Sequence, residues 1–278
     1  MSDTLTHPSV IGPAGPAGPV AVRRMTPVRM YRHTAALTWR ILTQIRHNPE
    51  PLFLLGIQPI LFLLLSTYIY GGQMAGSSHS YLQYEVPGVL GYNAVFATMS
   101  SAPALFGDVA RGVFDRFRSM PVSRLAPLIA RYCGDLVLQM WALVLVLIVG
   151  FSLGFRIHTH WWHLGYAALL LAAFSFGMAW LAMAIGLSVK SAETVQMLSF
   201  LCTIPLTFIS GAFARTDTMP GWLQAFVKVN PVTWLAAAER GLLLGGPVAR
   251  PVTYTLLSSL VVALVFAPLA IRGIARRR

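Results

Sequence analysis

RGVFDRFRSMPVSR, residues Arg111 to Arg124, carries five charged residues in fourteen, in a chain where 11% of residues are charged. Long apolar runs, 88–107 and 127–153, flank it. Four arginines and an aspartate between two segments that prefer to leave water read as a surface link joining two membrane spans. Val113, Phe114 and Phe117 share one helical face, Arg111 and Asp115 stand one turn apart, and Pro121 stops the helix. The stretch is therefore expected to be a short amphipathic helix, apolar toward the membrane and charged toward water. Such a helix can anchor the chain by its positive charge, or dock a soluble subunit through aromatic and arginine contacts.

Composition extends this reading to the whole chain. Hydrophobic residues make up 56% of its 278 residues, and the mean hydropathy is +0.64. Soluble domains have about a quarter of their residues charged. Apolar runs long enough to cross a bilayer fall near 52–71, 88–107, 127–153, 164–189, 195–213 and 253–271. The ten-residue alternating segments of a membrane β-barrel are absent. The expected fold is an all-α integral membrane protein with six transmembrane helices.

The net charge of +12 is distributed by side, which orients the spans and argues against nucleic acid as a partner. With the N-terminus inside, sixteen of the twenty-one Lys and Arg fall on inner segments and five (Arg156, Arg215, Lys228, Arg240 and Arg250) on outer ones. Both termini are thus expected in the cytoplasm, with a first outer loop over 72–86. No apolar core follows the first charges, so no signal peptide is expected. Residues 1–22 read as a disordered cytoplasmic tail. In 23–50, Val28, Tyr31, Ala35, Trp39, Leu42 and Ile45 recur at helical spacing, which predicts an amphipathic elbow helix in the inner interface, ended by Pro49 and Pro51. Residues 51–278 form the six-helix domain, with the charged link at 108–125.

The search for chemistry is mostly negative. The two lysines, Lys190 and Lys228, each follow valine, so no Gly-Lys and no phosphate-cradling P-loop exists on this chain. HExxH is absent too. His158, His160 and His163 of HTHWWH sit at an expected outer mouth, where amphipathic rings collect, and no acidic or cysteine ligand follows them; no metal is expected. Cys133 and Cys202 fall in spans and read as small buried hydrophobes. Among the nine acidic residues only Asp135 is expected well inside a span, with Arg131 one turn before it on the same face. The pair either fixes packing near the inner end of its helix or, with Gln139, lines a substrate path.

RGVFDRFRSMPVSR also resembles the coupling segment of type-2 ABC exporter permeases, above all the daunorubicin-resistance branch. NPEPLF, TYIYGG, SYLQYEVPG and the run SGAFARTDTMPGWLQAFVKVNPVTWLAAAERGLLLGG, Ser210–Gly246, are similar to that branch in the same order. The resemblance covers about residues 45 to 270. ARTD at 214–217 departs from relatives that carry an apolar or Pro-containing stretch. The resemblance implies a permease, not an enzyme, that pairs with two copies of a separate ATP-binding subunit and with a second permease or a paralogue. ATP and magnesium would then be bound on the partner, and this chain would carry no cofactor. It implies that Arg111, Val113, Phe114, Asp115, Arg116, Phe117, Arg118 and Pro121 couple to the ATPase, with Lys190 and Glu193 of VKSAE as a second inner contact. It also implies short extracellular or re-entrant helices over 214–250, with Met219, Pro220, Gly221, Trp222, Asn230, Pro231 and Trp234 at the outer gate. The expected function is ATP-driven efflux of a lipophilic or amphiphilic drug or natural product across a bacterial plasma membrane. Export of a lipid or glycoconjugate is the alternative within the same fold, and a non-transporting scaffold or immunity protein the alternative outside it.

Overall fold

The computed structural model describes residues 50–75, 77–112, 126–213 and 219–276, with isolated helical positions between residues 34 and 47. Its helices are α1 Glu50–Ala75, α2 Ser78–Ala110, α3 Ala126–Ser152, α4 Trp162–Ser188, α5 Ala192–Phe208, α6 Gly221–Val229, α7 Pro231–Leu244 and α8 Ala249–Arg276. Among the described residues no strand occurs. A chain this apolar satisfies its backbone in lipid only by closing hydrogen bonds within each segment, and that makes helices. Side-chain caps set some of the starts: Ser77 Oγ accepts from Ser80 N at 3.1 Å, and Ser191 Oγ accepts from Thr194 N at 3.2 Å.

Five helices are long and apolar enough to span a membrane: Leu52–Gly72, Ser78–Ala110, Ala126–Ser152, Trp162–Ser188 and Ala249–Gly273. The expected sixth span, 195–213, is shorter. α5 has 17 residues and stops at Phe208, so it rises about 26 Å, less than the ~30 Å hydrocarbon core. The expected outer loop at 72–86 is also corrected. α1 runs to Ala75 and α2 begins at Ser78, because Tyr81, Leu82, Glu85 and Val86 are buried against other helices. The elbow region is helical at each described position, and Ile41 rests on α3, where a Cβ on Gly134 would come 2.6 Å from its Cγ2. The tail, 1–22, lies outside the described residues.

α2 is the axis of the bundle. It packs on α1, α3, α4, α5 and α7, and Val86, Val89, Leu90, Ala94, Val95 and Met99 supply the centre of the core. The peripheral helices bury far less: α8 leaves Leu257, Leu260, Val261, Leu264 and Val265 exposed, and α5 leaves Met197, Phe200 and Leu201 exposed. In a bilayer those faces meet lipid or another chain. Close approach is made by small residues, as lipid-immersed packing requires. A methyl on Gly88 would overlap the Ala212 carbonyl, and one on Gly186 would come 2.7 Å from the Ala102 carbonyl. The buried side of α5 carries Ser199, Thr203 and Thr207, and each hydroxyl donates to the carbonyl four residues back at 2.7–2.8 Å. The helix satisfies its own polar stripe.

Candidate functional site

Two constructions stand at opposite ends of the bundle. At the end where α2 stops, a chain of charges crosses to α3. Arg131 Nε lies 3.2 Å from Asp135 Oδ1, and its Nη1 lies 3.7 Å from Asp108 Oδ2. Asp108 in turn takes Arg111 at 2.6 Å. The expected i, i+4 pair on α3 is present, and Asp108 of α2 extends it. One turn further along α3, Gln139 is buried and its Nε2 has no hydrogen-bond partner among the described residues. Arg111 is exposed, just before Gly112 at φ +69° turns the chain away. Val113, Phe114, Asp115, Arg116, Phe117, Arg118 and Pro121 lie outside the described residues. Lys190 and Glu193 are exposed on the turn from α4 to α5, at this same end, since Gly186 abuts Ala102.

At the other end, α5 stops short and leaves carbonyls without helical partners. Several carbonyls there and in the turn that follows take side chains from other helices. Asn230 Nδ2 donates to Leu206 O at 2.9 Å and to Ile209 O at 2.6 Å. Tyr84 OH donates to Gly211 O at 2.8 Å, and Tyr81 OH to Phe213 O at 3.0 Å. Arg240 closes the set. Its Nη2 donates to Ala212 O at 2.5 Å and its Nε to Tyr84 O at 3.1 Å, with the guanidinium 3.6 Å from the Tyr84 ring centre. Asn230 also starts α7, its Oδ1 accepting from Val232 N at 2.9 Å with Pro231 at the first turn. Thr159 Oγ1 and His158 N cap the far end of α7 through Leu242 O at 2.6 Å and Leu243 O at 3.0 Å.

The expected gate residues divide between these roles. Met219 O takes Gln224 Nε2 at 2.9 Å. Pro220 and Gly221 are exposed where α6 begins, and Trp222 is exposed on it. Trp234 is held by Lys228 O at 3.0 Å and stacks on Tyr254 of α8 at 4.6 Å. Among them, Asn230 is the one that binds the turn after α5.

Three charged residues at this end escape sequence reasoning. Contrary to the expectation that Asp135 alone enters a span, Glu85 lies inside α2, fully buried, and accepts from Ser66 Oγ and, at 2.7 Å, from Thr67 Oγ1 of α1. Hydropathy placed that span from residue 88 and left Glu85 in a loop. Glu239 is fully buried on α7, and Arg240 was counted only as an outer charge. Beside Glu85, Phe62, Tyr92, Phe208 and Phe213 form a ring cluster with centres 4.8–6.0 Å apart, and Gln58 Nε2 donates to Tyr92 OH.

His160 stacks on Trp162 at 4.2 Å, and no three His, Cys, Asp or Glu side chains converge among the described residues. Cys133 and Cys202 are both free and half-buried. Residues 150–154, GFSLG, match the spacing G-x-S-x-G, but a nucleophile elbow needs a strand before the serine. Here Ser152 ends a helix and its Oγ donates to Val149 O at 2.7 Å.

Residues 32–244 match the family model described as ABC-2 type transporter. The chain belongs to the ABC-2 type transporter family. Across 248 residues, 88% of each chain, it is 36% identical to the daunorubicin resistance ABC transporter permease protein DrrB1 of Streptomyces coeruleorubidus. It is 27% identical over 222 residues, 77% of this chain and 78% of the relative, to the probable doxorubicin resistance ABC transporter permease protein DrrC of Mycobacterium tuberculosis. The inner membrane transport permease YadH of Escherichia coli is 26% identical over 191 residues, 66% of this chain and 73% of that one. As a member of this family the chain is a membrane permease. The family match also takes in the partly described elbow region and the charged link between α2 and α3.

Proposed function

We propose that this permease moves a lipophilic or amphiphilic drug or natural product out of a bacterial cell, driven by ATP hydrolysis on a separate subunit. The likeness to DrrB1 over 88% of both chains carries the reading. The lack of any Gly-Lys in the sequence fits an energy source on another chain. Two ATPases, with ATP and magnesium bound there, and a second permease or paralogue complete the working complex.

In this reading both termini are cytoplasmic, and α5 with the α6–α7 hairpin makes the sixth pass. The Asp108–Arg131–Asp135 chain then sits on the cytoplasmic side, on the helices that flank the coupling segment 111–124 in sequence, with Lys190 and Glu193 as the second contact. Arg131, Asp135 and Gln139 border the inner part of the path. Phe62, Tyr92, Phe208 and Phe213 offer an apolar surface higher up, and the hairpin with Met219, Pro220, Gly221, Trp222, Asn230, Pro231 and Trp234 closes the outer end.

The decisive test uses the permease with its ATPase in membranes. Phe117→Ala, or Asp115→Ala together with Arg116→Ala, should leave insertion intact, weaken co-purification in a salt-dependent way, and abolish both substrate-stimulated ATPase and export. Wild-type coupling in both variants would reduce the segment to an anchor. A vesicle assay comparing aromatic amphiphiles with lipid-linked sugars separates drug export from the glycoconjugate alternative.

A further inference from the structure

Glu239 differs from the other described acidic residues. It is fully buried on α7, yet neither carboxylate oxygen has a hydrogen-bond partner among the described residues. Glu85 is equally buried but takes two hydroxyls, and Asp108 and Asp135 face arginines. The register sets Glu239 on the side of α7 turned to α2: Leu235 and Val232, one and two turns before it, flank Gly91.

The charged and titratable groups on the surrounding elements are committed elsewhere. Arg240 is adjacent in sequence and is spent on Ala212 O, Tyr84 O and the Tyr84 ring. Tyr81 and Tyr84 of α2 donate to Phe213 O and Gly211 O, and Glu85 faces α1. Arg250 of α8 lies over Tyr254, Lys228 of α6 is exposed, and the histidine at the start of α4, His163, turns to His160 O. No described donor reaches Glu239, and no second ligand stands by for a metal. A buried carboxylate ion without a donor is strongly disfavoured. A carboxyl so enclosed, with no donor for its anion, keeps its proton while α7 is seated.

We propose that Glu239 is a proton-binding site of the α6–α7 hairpin: it holds its proton while α7 is seated on α2 and releases it to external water when α7 lifts. The O–H bond breaks, water takes the proton, and the ionised side chain is solvated in the opened state, so no other reactant is required. The inference rests on the hairpin being the outer gate. Its sign follows from linkage: the seated state binds the extra proton, so low external pH favours closure and rising pH favours opening.

The test labels a buried cysteine, Ala236→Cys, from outside with a membrane-impermeant thiol reagent, in the full complex with Cys133→Ala and Cys202→Ala. Its rate is divided by that of the exposed control Trp222→Cys, which removes the pH dependence of the thiol itself. The ratio should rise with external pH, by at most about tenfold per pH unit, the limit for one proton. Glu239→Gln, which copies the neutral acid, and Glu239→Met should flatten the profile at its low-pH value. A flat ratio with Glu239 present, or the same rise in both variants, overturns the proton site while leaving the gate. No labelling of Ala236→Cys at any pH or during ATP turnover overturns the gate itself, and the proton site with it.

Discussion

Arg240 of α7 and Ala212, four residues beyond the end of α5, are joined by one of the tightest polar contacts in the protein, Nη2 to O at 2.5 Å. The contact exists because α5 stops within the bundle and its trailing carbonyls need donors where water is scarce. A guanidinium suits the place. It is planar, can bond in two directions, and still lies flat on Tyr84.

Arg240→Lys keeps the charge but loses that geometry. It is expected to destabilise the permease by about 2 kcal/mol, in the range for losing charged hydrogen bonds to part-buried carbonyls. Arg240→Ala should cost more. Thermal unfolding of the purified permease in detergent, followed through tryptophan fluorescence, checks the order; a lysine variant as stable as wild type would show that the fork is dispensable.

Two glycines of α2 provide a steric contrast. Gly88→Ala places a methyl into the Ala212 carbonyl, whereas Gly91→Ala meets Leu235 Cδ2 at an ordinary 3.5 Å. The first should collapse expression of folded protein, because backbone must move. The second should stay within about 1 kcal/mol of wild type. Equal yields of monodisperse protein for the two would contradict the observed approach of α2 to the turn.

At the other end, Asp135 is the more buried partner of Arg131, and Asp108 is more open. Asp135→Asn should therefore destabilise by about 2 kcal/mol, and Asp108→Asn by under ~1 kcal/mol. Exchanging the charges, Arg131→Asp with Asp135→Arg, should recover part of the loss. If Asp135→Asn instead folds normally and changes which compounds are exported, the carboxylate acts in the path.

The topology predicts opposite labelling. In a background with Cys133→Ala and Cys202→Ala, a cysteine at Ser78 should react with an impermeant reagent from outside, and one at Ser119 only from inside. Reaction of both from one side would end the proposed orientation.

Helix is legible between residues 34 and 47, where every described position is helical, but the face is not: Ile41, outside the expected apolar stripe, rests on α3 while Trp39 within it is exposed. Asn230-Pro231 is legible because an amide cap followed by proline starts a helix from its own geometry. Glu85 was missed because hydropathy charges every carboxylate the same amount, whereas its burial depends on Ser66 and Thr67 of a different helix. The sixth span was overestimated because Ile209–Phe213 is as apolar as a helix, and only contacts from Tyr81, Tyr84, Asn230 and Arg240 reveal that its backbone has turned.

By itself, the sequence determined that this protein is a bundle of membrane helices without a nucleotide-cradling loop, because solvation in lipid acts residue by residue and phosphate binding needs a fixed motif. Tertiary structure alone decided which polar groups could live inside. Glu85 found hydroxyls, Arg240 found carbonyls and, among the described residues, Glu239 found neither. A buried charge takes its energy from partners brought together by packing, and those lie too far away along the chain for any local pattern to register.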